Sequence, residues 1–413
     1  MPSVPIVSVI IPNFNHAQYL GDAINSVMNQ TFRDFEVIVV DDGSTDNSRE
    51  VVKEFGDRVQ YIWQKNSGLS AARNTGIEQA RGEFIGVLDA DDMYEPEFMS
   101  VLVPILQEDK MAGAVYCGYR FVDVANQPLP QVEARLVPPD RLFQALVDGN
   151  FLVPESILVR KHCYAKLGLF DVKFRACEDV DMWLRIAGQY KVLGVTNILT
   201  RHRILPHSMS TDPSRQTENR LAVIQKHFGP IPPVDEDWTE AQRRAYGQAY
   251  LASTVEYLQA RMTDRAYESF KNMIVACPAL LTRLNTFYEL GCGEQPKGYR
   301  GDFASLNLDS SSRHLIDMLD RFFEEVKNPS YSSQLRKAAY SQSYFALGLL
   351  YYGSRRFTEA RSFLLRAAIL DWRLVLDRTF ISSLIKSFIN PKIIDWYREK
   401  RYRSVDSQHS QSA

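Results

Sequence analysis

The sequence predicts an α/β fold, in which an open, mostly parallel sheet carries helices on both faces and an all-α domain follows. Four short apolar runs in the first 110 residues are separated by segments of helical periodicity, and the last third of the chain has helical periodicity throughout. Strands that alternate with helices form parallel sheets, because each helix returns the chain across one face of the sheet.

The expected elements follow in order along the chain. The predicted strands are Val7–Pro12, Phe35–Asp41, Val59–Trp63, Phe84–Asp89 and Ala114–Tyr119. The predicted helices are Ala17–Met28, Asp46–Phe55, Leu69–Ala80 and Glu178–Ala187.

A proline-rich segment is expected to divide the chain. Residues 229–237 include three prolines within four positions, which favours a stiff extended linker. We therefore expect residues 1–110 and 111–228 to form two halves of one α/β domain. Residues 238–403 would form a helical domain, and the polar residues 404–413 would form a disordered tail.

Two segments of the helical region share the spacing of the tetratricopeptide pattern, offset by 94 residues. The positions that match are Tyr250, Tyr257, Ala266, Phe270 and Pro278 in the first segment, and Tyr344, Leu347, Gly348, Tyr351, Ala360, Leu364 and Ala367 in the second.

The composition excludes several classes of protein. The chain has 413 residues and a formal net charge of −2, so it has no general attraction for nucleic acid. No apolar run approaches the ~20 residues of a membrane span. The N-terminus lacks the basic region of a signal peptide. Five scattered cysteines without a CxxC pair favour a cytoplasmic location.

Acidic residues end two of the predicted strands. Asp41 and Asp42 follow one strand, and Asp89, Asp91 and Asp92 follow another. Ligands of open α/β sheets bind at the carboxyl ends of the strands, which points to a ligand role for Asp41. Crowded carboxylates suit Mg²⁺ or Mn²⁺, and the alternative is a solvated acidic turn.

Two further segments combine charge with a predicted helix start. Gly68 precedes a helix whose N-terminus could bind an anion, with Arg73 beside it. The alternative is that Arg73 pairs with a nearby carboxylate. Glu178 and Asp179 begin another helix, where carboxylates also serve simply to complement the helix dipole. Asp181 is expected to pair with Arg185, four residues later.

Residues 5–228 resemble the family 2 glycosyltransferases, which have the Rossmann-like GT-A fold. Five elements in order carry the resemblance: the strand Ser8–Asn15, the turn Asp41–Asp46, the segment Asn66–Gly76, the acidic signature Asp89–Ala90–Asp91 and the Glu178–Asp179 pair. The resemblance implies an inverting transfer of a sugar from a nucleotide-diphosphate donor, often UDP-linked, to a hydroxyl group, usually with Mg²⁺ or Mn²⁺.

The resemblance also implies roles for individual residues. It places Pro12, Asn15, Asp41, Asp42 and Gly68 at the donor, Arg73 near its diphosphate and Asp89 beside the ribose or metal. Asp91 would bind the metal with Asp89 and Asp92 beside it, and Asp179 would be the catalytic base with Glu178 next to it.

One departure from the family pattern concerns the metal site. The family often has a metal-binding histidine after the base helix, but Leu205 occupies that position here. His207 or His202 could replace it, and the preferred alternative is that both are ordinary loop histidines.

The sequence narrows the subclass and leaves alternatives. It has neither the Gln-x-x-Arg-Trp motif nor the membrane spans of processive synthases, so the expected acceptor is a glycan, a lipid-linked sugar or a protein.

Apolar and basic residues within 380–403 predict peripheral contact with the inner face of the membrane. A dinucleotide-dependent enzyme is disfavoured because no GxGxxG follows the first strand. A catalytically silent scaffold with a protein partner on its helical domain is the other alternative.

Overall fold

The computed structural model describes residues 4–206, 211–233, 237–325 and 333–388. Its chain forms two compact units. The first comprises Met1–Ala252 with Lys297–Gly301, and the second comprises Ser253–Pro296 with Asp302–Ala413. The first unit thus extends past the expected linker at residues 229–237. One reason is that Arg244, beyond that linker, donates from Nε to Asp148 Oδ1 at 2.6 Å.

A single mixed sheet forms the centre of the first unit. Its nine strands within the described residues are β1 Val7–Asn13, β2 Phe35–Asp41, β3 Gln60–Trp63, β4 Phe84–Val87, β5 Met93–Tyr94, β6 Ala112–Val122, β7 Pro128–Glu133, β8 Ile157–Arg160 and β9 Lys191–Arg203. Their order is β3-β2-β1-β4-β8-β6-β9-β5, and β7 pairs with β6.

The first half of this sheet is parallel, as predicted. β3, β2, β1 and β4 run in one direction, and β1 and β4 are buried along their whole length. Burial on both faces explains why these strands consist of continuous apolar runs. β8 is antiparallel to both β4 and β6. β4 ends at Val87, so Asp89 lies in the loop beyond the strand.

Helices cover both faces of the sheet. Those that lie in the first unit are α1 Ala17–Met28, α2 Ser48–Lys53, α3 Leu69–Gln79, α4 Phe98–Glu108, α5 Pro139–Asp148, α6 Lys161–Leu167, α7 Glu178–Gln189 and α8 Pro213–Phe228. α1 buries residues at helical spacing, such as Leu20, Ala23, Ile24 and Val27. The α/β fold predicted from the sequence is therefore confirmed.

The second unit is helical. α9 Glu240–Gln259 leads into it, and it contains α10 Thr263–Ala276, α11 Leu284–Gly291, α12 Leu308–Glu325, α13 Ser333–Gly353, α14 Phe357–Leu370 and α15 Arg378–Lys386. Among the helices of the described segments, none has both the length and the apolarity to cross a bilayer.

The two segments that share the tetratricopeptide spacing form helical hairpins with the same turn. Arg261 and Arg355 occupy equivalent positions and both have positive φ, 57° and 64°. The next N–H in each turn, of Met262 or Arg356, donates at 2.9 Å to the carbonyl of the tyrosine five residues earlier, Tyr257 or Tyr351. Ala266 and Ala360, which match each other in the pattern, are both fully buried.

Candidate functional site

Asp41 lies at the carboxyl end of β2, as the sequence predicted. Its Oδ1 accepts a hydrogen bond from the Ser44 N–H at 2.8 Å, and its Oδ2 accepts one from the Tyr61 hydroxyl at 2.5 Å. The residue is 2% exposed. Burial and the bond to Asp41 raise the pKa of Tyr61, so this hydroxyl stays protonated and donates.

The loop after β1 is joined to the turn after Asp41. Pro12 is buried within β1, and Asn15 lies beyond it with a positive φ of 57°. Asn15 Oδ1 accepts a hydrogen bond from the Thr45 N–H at 2.8 Å. Asp46 also joins these two segments, since its Oδ2 accepts a hydrogen bond from the first N–H of α1 at 2.9 Å. The predicted donor-binding residues Pro12, Asn15 and Asp41 thus lie on adjoining segments.

Asp42 organises the turn before α3. Its carboxylate accepts hydrogen bonds from the Gln64 side chain at 2.7 Å, the Ser67 N–H at 2.9 Å and the Gly68 N–H at 2.7 Å. The protein's own carboxylate thus takes the N–H groups of Ser67 and Gly68, the two residues before α3. Asp42 therefore organises this turn, and the donor contacts expected of Asp42 and Gly68 stay predictions.

Arg73 joins two of the acidic segments. It is 1% exposed, and its Nη1 donates to Glu178 Oε1 at 2.5 Å. Its Nη2 donates to both oxygens of Asp89, at 2.8 and 2.9 Å. Burial alone would lower the pKa of Arg73, but these carboxylates raise it. The sequence left two interpretations of Arg73, an anion contact at the start of α3 or an ion pair with a nearby carboxylate. The structure shows the ion pair.

Asp179 lies in the first turn of α7 and is partly buried. Asn150 Nδ2 donates a weak hydrogen bond to its Oδ2 at 3.4 Å. Burial, followed by repulsion from Glu178, raises the pKa of Asp179 to about 7. A carboxylate with this pKa gains and loses a proton near neutral pH, as a general base must.

Asp181, two residues later, is a structural residue. Its fully buried carboxylate accepts from Arg185 Nη2 at 2.8 Å and His227 Nε2 at 3.0 Å. Burial opposes ionisation, but His227, Arg185 and Lys226 lower the pKa of Asp181 to about 2. The predicted pairing with Arg185 is confirmed.

Asp91 is crowded by the carboxylates of Asp92 and Asp89. Burial, then Asp92 and Asp89, raise its pKa to about 7. Within the described part of the chain, no hydrogen-bond donor contacts its carboxylate. A divalent cation would relieve this repulsion, so these carboxylate ligands fit the metal that the sequence predicted.

A second acidic group lies beside Asp91 and includes a residue that the sequence analysis missed. His202 Nδ1 lies 2.8 Å from Glu155 Oε1 and 3.3 Å from Asp92 Oδ2. Burial would lower the pKa of His202, but Asp92 and Glu155 raise it well above its usual value. The three residues could also hold a metal ion, since their ligand atoms all lie within 4.8 Å of one another. Glu155 has no motif around it that could have identified it.

His202 differs from the expectation of an ordinary loop residue. His202 lies on β9, and its partners hold it in a buried polar cluster, so that interpretation of His202 is wrong. Leu205, at the family's histidine position, is 9% exposed and belongs to the core. His207 lies outside the described residues.

Comparison with known proteins gives a consistent match for the first unit. The family profile described as Glycosyl transferase family 2 matches residues 8–166. An uncharacterized glycosyltransferase of Rickettsia typhi is 33% identical over 235 residues, which cover 54% of this chain and 69% of that protein. A chondroitin synthase of Escherichia coli is 38% identical over 232 residues, which cover 54% of this chain and 32% of that protein.

A solved structure matches the fold. Residues 1–349 of S. aureus TarS superimpose with a TM-score of 0.50 and 16% identity, covering 81% of this chain and 90% of that one. At this identity the likeness concerns the fold alone.

Proposed function

This chain belongs to the family 2 glycosyltransferases, and we propose that it transfers a sugar from a nucleotide-diphosphate donor to an acceptor hydroxyl with inversion. The observation that carries this proposal is the buried guanidinium of Arg73, which contacts Asp89 and Glu178 together. It brings the acidic segment after β4 next to the first turn of α7, which contains Asp179. The proposed donor-activating and proton-accepting groups are therefore neighbours.

Single displacement needs a base on the acceptor side and charge stabilisation on the donor side. Asp179 would accept the proton of the acceptor hydroxyl as that oxygen attacks the sugar carbon. Asp91, with Asp89 and Asp92 beside it, would hold Mn²⁺ or Mg²⁺, which stabilises the negative charge of a departing diphosphate. Arg73 would keep Asp89 and Glu178 in place between the two sides.

The donor and acceptor are proposed at the level of chemical class. Asp41, Asn15 and Pro12 would contact the nucleotide, and a UDP-sugar is the first choice because UDP is the usual nucleotide of similar sites. The E. coli relative is named as a chondroitin synthase, which supports a glycan as the acceptor. Lipid-linked and protein acceptors would react through the same group, a hydroxyl.

Nucleotide release from UDP-, GDP- and dTDP-sugars tests the proposal. We expect the wild type to release one nucleotide slowly with Mn²⁺ or Mg²⁺ and to lose this activity in EDTA. Asp91→Ala should lose it as well, because the charge of the diphosphate would then be uncompensated. Donor binding is measured by calorimetry beside release. A protein that neither binds nor turns over any donor would contradict the proposal and favour the scaffold alternative.

We also propose peripheral membrane contact through residues 380–403. In the described part of this segment, Ile385 and Phe388 are 57% and 66% exposed, while residues 389–403 lie outside the description. Exposed apolar side chains that are followed in the sequence by five basic residues suit an anionic lipid surface; these residues are Lys392, Arg398, Lys400, Arg401 and Arg403.

Sedimentation with anionic and neutral liposomes tests this contact. The full chain should sediment with anionic vesicles, and a variant that ends at residue 379 should not. Equal sedimentation of the two chains would show that the segment makes no membrane contact.

A further inference from the structure

A cavity of about 320 Å³ in the first unit is lined by residues from the starts of α3, α7 and α8. Ser70 lines it from α3 and Gly68 from the position just before that helix. Glu178 lines it from α7, Arg215 from α8 and Arg175 from the loop before α7. Glu178 is the only carboxylate among the residues that line it in the described chain, and Arg73 neutralises that carboxylate at 2.5 Å. The remaining charge in the wall is positive.

The start of α3, which lines this cavity, has no acidic side chain in its first turn to neutralise the helix dipole. Gly68 is the N-cap, so no side chain caps the helix, and its first turn contains no acidic residue. Asp42 accepts the N–H groups of Ser67 and Gly68, which precede the helix. The N–H groups of the first turn are left without a side-chain acceptor, and such groups attract anions.

Ser70 supplies an independent indication of a ligand. It is 5% exposed and lines the cavity, yet its Oγ has no hydrogen-bond partner in the described structure. Buried hydroxyl groups are nearly always hydrogen-bonded, so an unpartnered one points to a group that the protein alone does not provide.

Two arginines complete the set of hydrogen-bond donors around the cavity. Arg175 Nη1 lies 3.5 Å from the point where a Cβ on Gly68 would stand, so its guanidinium lies over the helix start. Among the described residues, neither Arg175 nor Arg215 forms an ion pair with a carboxylate. Guanidinium groups bind phosphate oxygens in a fork, and two of them can contact one phosphate group together.

We propose that this cavity binds a phosphate group of the acceptor substrate. The assignment to the acceptor rests on the proposed function, because Glu178 in the cavity wall adjoins Asp179, the proposed base. Of the residues that the family resemblance places at the donor, Gly68 lines this cavity, whereas Pro12, Asn15 and Asp41 do not. The acceptor would then be a phosphorylated glycan or polyol whose phosphate fixes the distance of its hydroxyl from Asp179.

Calorimetry with small probes tests the site. The probes are glycerol 3-phosphate, inorganic phosphate and glycerol, at constant ionic strength. The proteins are the wild type, the double variant Arg175→Gln/Arg215→Gln and the control Arg141→Gln, which removes an exposed arginine of α5 that does not line the cavity.

We expect the wild type and Arg141→Gln to bind glycerol 3-phosphate at least as tightly as inorganic phosphate, and not to bind glycerol. The double variant should bind both phosphates about tenfold more weakly or worse, because two charge-assisted contacts are lost. Equal phosphate affinity in the double variant and the wild type would overturn the site. Clearly tighter binding of inorganic phosphate than of the ester would overturn the assignment to an acceptor.

UDP binding separates this inference from the donor site. The double variant should keep the wild-type affinity for UDP, and a parallel loss of UDP affinity would overturn the inference by assigning the cavity to the donor diphosphate. Phosphate binding needs no donor turnover. A failure of the proposed function would therefore appear as absent nucleotide release, whereas a failure of this inference would appear as unchanged phosphate affinity.

Discussion

Replacing Asp179 by asparagine is expected to reduce sugar transfer by about 10²- to 10⁴-fold, the usual contribution of a general base. Asparagine keeps the size of the side chain but cannot accept the proton of the acceptor hydroxyl. The amide oxygen of asparagine can keep the weak contact with Asn150, whose Nδ2 lies 3.4 Å from Asp179 Oδ2. Donor affinity should therefore stay at the wild-type value while turnover falls.

The matched control for this change is Asp140→Asn. Asp140 also lies in the first turn of a helix of the same unit, α5, so its replacement removes the same favourable charge at a helix start. Its turnover should equal that of the wild type. If Asp140→Asn lost as much activity as Asp179→Asn, the effect would come from helix stability and the base would lie elsewhere.

The pH dependence gives a second readout of Asp179. Its pKa is raised to about 7, so below pH 7 the carboxyl group is increasingly protonated and cannot act as a base. Turnover of the wild type should fall about tenfold per pH unit below this value and level off above it. The residual activity of Asp179→Asn should lack this acidic limb, and a limb that persists unchanged would assign the titration to another group.

Replacing Arg73 by leucine is expected to have the largest effect on stability. The change leaves Asp89 and Glu178 without the guanidinium that neutralises them, and Glu178 is 7% exposed. Removal of one partner from a buried ion pair typically costs about 3–5 kcal/mol of unfolding free energy. Urea denaturation followed by circular dichroism measures the loss.

Arg81→Leu is the control for the stability change. Arg81 also contacts a carboxylate, that of Glu36 at 2.7 Å, but its side chain is 53% exposed. Water compensates the loss of such a pair, so we expect a change of at most about 1 kcal/mol. Arg73→Lys should fall between the two, because one ammonium group cannot reproduce the forked contacts to both carboxylates. Similar losses in Arg73→Leu and Arg81→Leu would show that the buried network does not stabilise the fold.

Local patterns in the sequence predicted the elements that depend on neighbours along the chain. The bounds of β2 and α1 agree with the prediction to the residue, since continuous Val and Ile runs and helical apolar spacing are local features. Asp181 and Arg185 are one helical turn apart, so their pairing was also predictable. The resemblance carried by the motifs predicted the family.

Only the tertiary structure decided which charged groups meet. Glu178 is 105 residues from Arg73, and Asp92 is 110 residues from His202, so no local spacing predicts either contact. Glu155 joined the site for the same reason. Asp42 organises the turn before α3 for the same reason, because folding brought its carboxylate to the N–H groups of Ser67 and Gly68. A sequence determines the charge that each segment carries, but the partner of a buried charge is set by long-range packing, which brings remote segments together.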